Sequence, residues 1–178
     1  MSIDDVLEKA FQNRAFSKVF FVLERKMKEW LFDCQSCGNC VLSHTGFVCP
    51  MRCPKGQRNG PCGGAMEGMC EVDMSKRCVW DEIWESTVWL DRVDLLTNNY
   101  EGPPDWRLTG TSAWENMVAG LLDSPSILET FFRPGVPLAR EVPRVVVQIL
   151  RNWGNLLTGP SWRRYEGRPP ISGDKGGH

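Results

Sequence analysis

No run of about 18 apolar residues occurs in this sequence, so no membrane-spanning helix is expected. No excess of one charge occurs either: 21 basic and 22 acidic side chains leave a net charge of −1. That balance excludes a generally basic nucleic-acid binder, and neither nucleic acid nor a membrane is expected as a partner. The first residues, Met1-Ser2-Ile3-Asp4-Asp5, are acidic and carry no apolar signal core, which predicts a cytoplasmic protein rather than a secreted precursor. A phosphate-binding glycine motif such as GxGxxG is missing, and no catalytic acid, base or hydride site is visible. What the chain has in plenty is cysteine: eight of its 178 residues, all between Cys34 and Cys78.

An even count admits a disulfide framework. A cytosol keeps thiols reduced, however, and eight isolated structural thiols in so short a segment would be stranger still. Metal is the better explanation. Thiolates bind soft metals, and a metal replaces the core that a short loop segment cannot bury. The spacing is Cys34-x2-Cys37-x2-Cys40-x8-Cys49-x3-Cys53-x8-Cys62-x7-Cys70-x7-Cys78. C-x2-C-x2-C sets three thiolates around one concavity, as a cubane iron–sulfur cluster requires, with a fourth cysteine supplied from a distance. The pairs Cys49-Pro50 and Cys53-Pro54 echo the Cys-Pro ending of ferredoxin loops. Zinc is the alternative for one site or both. Its four-cysteine sites usually read as two C-x2-C pairs, and Cys49 with Cys53 has the wider spacing zinc also accepts. Eight cysteines divide as four and four, into two cubanes or a cubane and a zinc, and the spacing does not say which joins which. His44 is the one histidine near this segment and is expected at the surface. Arg52, Lys55 and Arg58 lie among the cysteines, where cations offset thiolate charge or meet an acidic redox partner.

Around this segment the pattern is helical. Residues 2–31 place apolar side chains at three- and four-residue spacing, including Phe16, Val19, Phe20, Leu23, Met27 and Trp30, with Arg14, Lys18, Arg25 and Lys28 elsewhere on the cylinder. Ser2 with Asp5 is a capping start, and a break near Asn13 would give two helices. The apolar stripe packs either on the chain's own core or on a partner subunit. Residues 32–79 show neither helical nor strand period and are rich in glycine and proline turns. Helices are expected over 80–97, over 111–122 with Ser112 and Glu115 as a capping pair, over 126–132, and over 142–157 starting near Pro143. Net charge runs 0 over residues 1–33, +2 over 34–80, −7 over 81–133 and +4 over 134–178, consistent with separate contact surfaces. The expected fold is a small, mainly α protein around an irregular cysteine-rich metal-binding core. Its parts are an N-terminal amphipathic helix (1–33), the cysteine segment (34–79), a helical region (80–158) and a flexible tail (159–178). The eight tryptophans fit core packing or an interface.

Residues 34–80 resemble the methylenetetrahydrofolate reductase C-terminal cysteine-rich domain, the MetV-type small subunit. The matching pieces are CxxCGxC at 34–40, the CP…CPK run at 49–55, NGPCGG at 59–64, GxCEV at 68–72 and CVW at 78–80. These five ordered motifs span about a quarter of the chain. Residues beyond about 100 match no motif of that domain. Where the family often places a tyrosine and a basic residue after the last motif, this chain has Trp84 and Glu85, which implies a different contact there. The resemblance implies a non-catalytic subunit that accompanies a flavin-containing methylenetetrahydrofolate reductase of one-carbon metabolism. The FMN or FAD and the folate would sit on that partner, a (β/α)8 barrel of about 250 residues for which this chain is too short.

Three functions compete. In the first, iron–sulfur clusters relay electrons between the partner's flavin and an outside redox protein. In the second, zinc or a redox-silent cluster holds a scaffold that props the reductase. In the third, a zinc-bound thiolate transfers methyl groups, which needs an open coordination position that eight cysteines do not leave.

Overall fold

The computed structural model of the chain describes residues 3–98, 102–122 and 137–157. The expected short helix at 126–132 and the tail from 159 lie outside these residues. Among the described residues the fold is mainly helical. The N-terminal helix divides as its sequence allows, into α1 (Ile3–Phe11) and α2 (Arg14–Phe32). Asn13 makes the break. Its Oδ1 accepts from the backbone N–H groups of Ala15 (3.0 Å) and Phe16 (3.3 Å), supplying two of the donors a helix start leaves unpaired. Phe20 of α2 packs edge-on against Phe11 of α1 at 4.9 Å and meets Trp114 at 5.8 Å.

α2 stops at Asp33, which adopts the left-handed conformation (φ 50°) and donates its N–H to the Glu29 carbonyl at 3.0 Å. A second left-handed aspartate ends α3 (Val79–Leu90). There Asp91 (φ 60°) donates to Val88 at 3.1 Å and Arg92 donates to Thr87 at 2.8 Å, the paired bonds of a Schellman cap. α4 (Val93–Asn98) follows, so the helix expected over 80–97 is two, divided at that cap. A 3₁₀ turn (Trp106–Leu108) leads to α5 (Ala113–Val118), shorter than the expected 111–122 but begun by the expected pair: Ser112 Oγ accepts from Glu115 N–H at 3.0 Å.

The last described helix, α6 (Leu138–Leu157), begins four residues before the expected start at 142, which leaves Pro143 inside it rather than in its first turn. Pro137 explains the earlier start, since its carbonyl accepts from Arg140 (2.9 Å) and Glu141 (3.2 Å). The carbonyl that Pro143 leaves without its helical donor belongs to Ala139, an exposed residue.

Between α2 and α3 the chain is irregular, as expected, except for a 3₁₀ turn (Pro50–Arg52) and a small hairpin of β1 (Ala65–Met66) and β2 (Met69–Cys70). Ala65 pairs with Cys70 and Met66 with Met69. Glu67 and Gly68 both have positive φ, the type I′ geometry that suits a two-residue hairpin.

Residues 38–50 are buried throughout without forming a helix or strand. They feed two cores. One gathers Phe32, Cys40, Leu42, Phe47, Cys49, Leu90, Ala113, Met117 and Val145, and so draws on α2, α3, α5 and α6. The other gathers Val48, Val79, Trp80 and Ile83.

α2 and α6 pack on each other and turn polar side chains inward. On α2 the buried residues are Glu24, Lys28 and Phe32, while Val19, Leu23 and Trp30 are exposed, at 60%, 64% and 56%. On α6, Glu141, Val145 and Gln148 are buried, while Leu138, Val142, Val146 and Leu150, at four-residue spacing, are exposed. Gln148 donates to Ser86 Oγ at 2.8 Å. Glu141 pairs with Arg92 at 2.9 Å, and the Arg92 guanidinium also lies over the Phe47 ring at 5.0 Å.

This pair is almost fully buried, so removing one partner strands a charge. Glu141→Leu is expected to cost about 3–5 kcal/mol in denaturant unfolding, and adding Arg92→Met should recover most of it. A single variant within about 0.5 kcal/mol of the wild type would show that the pair does not anchor α6.

Candidate metal centre

Four cysteines line one cavity: Cys34, Cys37, Cys40 and Cys49. Cys34 follows directly on the left-handed end of α2, and its N–H reaches back to the Lys28 carbonyl at 3.3 Å. The chain then turns twice with positive φ, at Ser36 (50°) and Gly38 (74°), which brings Cys37 and Cys40 around to the same side. Cys49 enters from the far end of the buried segment and precedes Pro50, first residue of the 3₁₀ turn.

The loop is held from residues 102–116. Asn39 Nδ2 donates to the carbonyls of Cys37 (2.9 Å) and Asp105 (3.0 Å), and its Oδ1 accepts from Asp105 N–H (3.0 Å). Asn116 donates to the Gly38 carbonyl at 3.0 Å, and Gly110 N–H to the Ser36 carbonyl at 3.1 Å. Arg58 donates to the Asn39 carbonyl at 3.0 Å and the Gly102 carbonyl at 3.3 Å. A strap beyond the cysteine motifs thus satisfies buried loop backbone that has no ladder of its own.

The thiols differ. Cys34 is held down to about 6, chiefly because Cys49 shares its hydrogen with it; Ser36 N–H at 3.4 Å and the Lys28 ammonium add to this against the opposing effect of burial. The same shared hydrogen, and then burial, raise Cys49 well above the usual thiol range. Burial raises Cys37. The cavity wall also holds Glu24 and Lys28 of α2, an ion pair at 2.8 Å with side chains only 3% and 5% exposed. Burial works against the Lys28 charge, but Cys40 and Glu24 outweigh it and raise its pKa. Ser36 Oγ is buried there and has no hydrogen-bond partner among the described residues.

The other four cysteines fall around the hairpin and the start of α3. Cys53 closes the 3₁₀ turn, donating its N–H to the Pro50 carbonyl at 3.0 Å. Cys53 and Cys78 both pack on the Val48–Val79–Trp80–Ile83 core. Cys78 is the residue before α3 and donates to the Gly68 carbonyl at 2.7 Å; Cys70 donates to Lys76 at 2.9 Å. With Met69 paired to Arg77, this ladder puts Cys70 and Cys78 on one face. Cys62 is exposed, lies within electrostatic reach of Cys78, and is lowered first by Gly64 N–H and then by Lys55, whose Nζ is 3.4 Å from its sulfur.

The donor chemistry of the first cavity suits a soft metal, since Cys34, Cys37, Cys40 and Cys49 all line it. The free space within the first cavity is about 30 Å³, and among the described residues no three Cys, His, Asp or Glu side chains converge on one point as a single ion requires.

The cations among the cysteines take separate places. Arg58 is in the wall of the first cavity, Lys55 beside Cys62, and Arg52 between the sets, bridging Asp33 (3.2 Å) and Glu82 (3.1 Å). His44 corrects an expectation. It is buried, 4% exposed, because the segment carrying it is part of the core. It lines a second cleft of about 440 Å³ with Trp80 and Trp84, which shares Val41 and Arg58 with the wall of the first cavity. Lys28 and Glu24 were missed as site residues. Their only trace is an i,i+4 charge pair, which normally marks a solvated helix face.

The sequence profile described as methylene-tetrahydrofolate reductase C terminal matches residues 13–107. The chain belongs to that family. The match covers just over half the chain, from the Asn13 cap through both cysteine sets into the strap that holds the first. α5 and α6 lie beyond it. No curated protein and no solved structure matches the chain.

Gly38 tests the strap. A Cβ there would overlap the Leu108 carbonyl, and a positive φ strains any L side chain. Gly38→Ala is expected to cost at least about 2 kcal/mol and to speed amide exchange over residues 105–116. Unchanged exchange there would mean that the strap does not hold the loop.

Proposed function

We propose that this chain is the small iron–sulfur subunit of a flavin-dependent methylenetetrahydrofolate reductase, relaying electrons to or from the catalytic flavoprotein. The observation that carries the reading is the meeting of Cys34, Cys37, Cys40 and Cys49 at one cavity in a chain of this family. The sets 34/37/40/49 and 53/62/70/78 would each hold one cluster. Cubane clusters add or give up single electrons when bound.

The protein's part is to supply thiolates, exclude water and fix nearby charge. Residues 38–50 and the strap enclose the first set, while exposed Cys62 leaves the second nearer solvent. That difference suits a relay with an inner and an outer station.

A partner subunit accounts for the exposed apolar residues of α2 and α6. Trp30, Trp84, Trp89 and Trp106 are exposed as well, and tryptophan is enriched where proteins dock. These surfaces would meet the flavoprotein, which carries the FMN or FAD, and an outside redox protein.

Anaerobic purification, metal analysis and visible spectra before and after dithionite test the reading. The expected result is a brown protein with about eight irons per chain that bleaches on reduction. Cys37→Ser should lose at least half of that iron and lower Tm. Colourless protein holding only zinc would overturn the relay and leave a scaffold role. Full metal and unchanged Tm in Cys37→Ser would remove the metal from the first cavity.

A further inference from the structure

The wall of the first cavity contains a charge pair that a purely structural site does not need. Lys28 and Glu24 are one turn apart on α2, both buried, with Nζ 2.8 Å from Oε1. An apolar pair of similar volume would hold such a position about as well. The two also have different attachments. Glu24 is tied to α5: it accepts from Ser112 Oγ and, at 3.3 Å, from Trp114 N–H, so it serves the start of that helix. Lys28 has Glu24 as its anchor and the Trp114 ring 5.3 Å away. It lines the same cavity as the four thiols, and Cys40 and Cys34 are among the groups that act on its charge.

We infer that Lys28 is a positioning charge that raises the reduction potential of the group held by Cys34, Cys37, Cys40 and Cys49, and that Glu24 fixes its place. The inference rests on the relay reading proposed above. Four thiolates make any cluster they hold strongly anionic, and one-electron reduction adds a further negative charge. No bond forms or breaks and no proton moves; the electron comes from a one-electron donor, in the experiment a reduced viologen. A fixed ammonium in a wall closed to water stabilises that extra charge far more than a solvated lysine does. Glu24 opposes it in part, so the two side chains act on the potential with opposite sign. A structural ion pair lacks that signature.

The test is a potentiometric titration of the whole anaerobic chain, followed by visible and electron paramagnetic resonance spectra, with iron content measured in each sample. Lys28→Met should shift the redox equilibrium at least tenfold against reduction, about 59 mV for one electron. Lys28→Arg should lie close to the wild type. Glu24→Gln, which can still bond Ser112 and Lys28, should shift the equilibrium the other way. Only one of two titration steps should move. If Lys28→Met fails to fold, the upward shift in Glu24→Gln decides the matter. Iron-loaded variants that titrate like the wild type, or that both shift downward, would overturn the inference and leave the relay standing. A wild type without iron would overturn the relay reading and the inference with it.

Discussion

Burial of irregular backbone is the constraint on which the rest of this structure depends. Residues 38–50 lie inside without a ladder of their own, so their N–H and C=O groups need partners from elsewhere. Tight turns satisfy some: Val41 O accepts from His44 and Thr45, and Leu42 O from Phe47. Asn39, Arg58 and Asn116 satisfy others. The strap at 102–116 exists in this arrangement to complete that set, and α5 holds the strap by way of Asn116 and the Ser112 cap. The helices are therefore more than a shell around a cysteine loop; they supply the hydrogen bonds that let the loop be interior.

The same constraint explains the unusual orientation of α2 and α6. A polar interior requires polar partners, so each helix turns its charged or amide ridge inward. Glu24 and Lys28 meet α5 and the thiol cavity, and Glu141 and Gln148 meet Arg92 and Ser86. Their apolar ridges are left outside. Two helices arranged in this way would be poor members of a lone globule. Under the proposed subunit role, these exposed ridges are what another chain would cover.

Helix positions were legible because periodicity and caps are local. The break at Asn13 and the Ser112–Glu115 start follow from side chains that bond their own neighbours. The αL aspartates were not legible, since that place is ordinarily filled by glycine. Nor was the hairpin, whose Glu67-Gly68 turn lies between strands of only two residues. The facing of α2 stayed open for a tertiary reason. Periodicity shows that a helix has an apolar side, not that this side is the buried one. His44 read as a surface residue, and Lys28 only as lying off the apolar stripe, because burial of an imidazole or a charge depends on distant partners. As for the site, spacing marked all eight cysteines but left their grouping open. That Cys34, Cys37, Cys40 and Cys49 share a cavity depends on the left-handed turns at Ser36 and Gly38, which spacing does not encode.

The 3₁₀ turn at Pro50–Arg52 has a mechanical consequence. It separates Cys49 from Cys53 by a step of about 8 Å at the usual 3₁₀ rise. Arg52 N–H bonds the Cys49 carbonyl at 3.2 Å and Cys53 N–H bonds Pro50 at 3.0 Å, while proline stiffens the first residue. Arg52 then ties the turn to Asp33 at the end of α2 and to Glu82 in α3. The junction has no slack. A displacement at either end of this turn would work against the Asp33 and Glu82 ion pairs, so the link between Cys49 and Cys53 is a brace rather than a hinge.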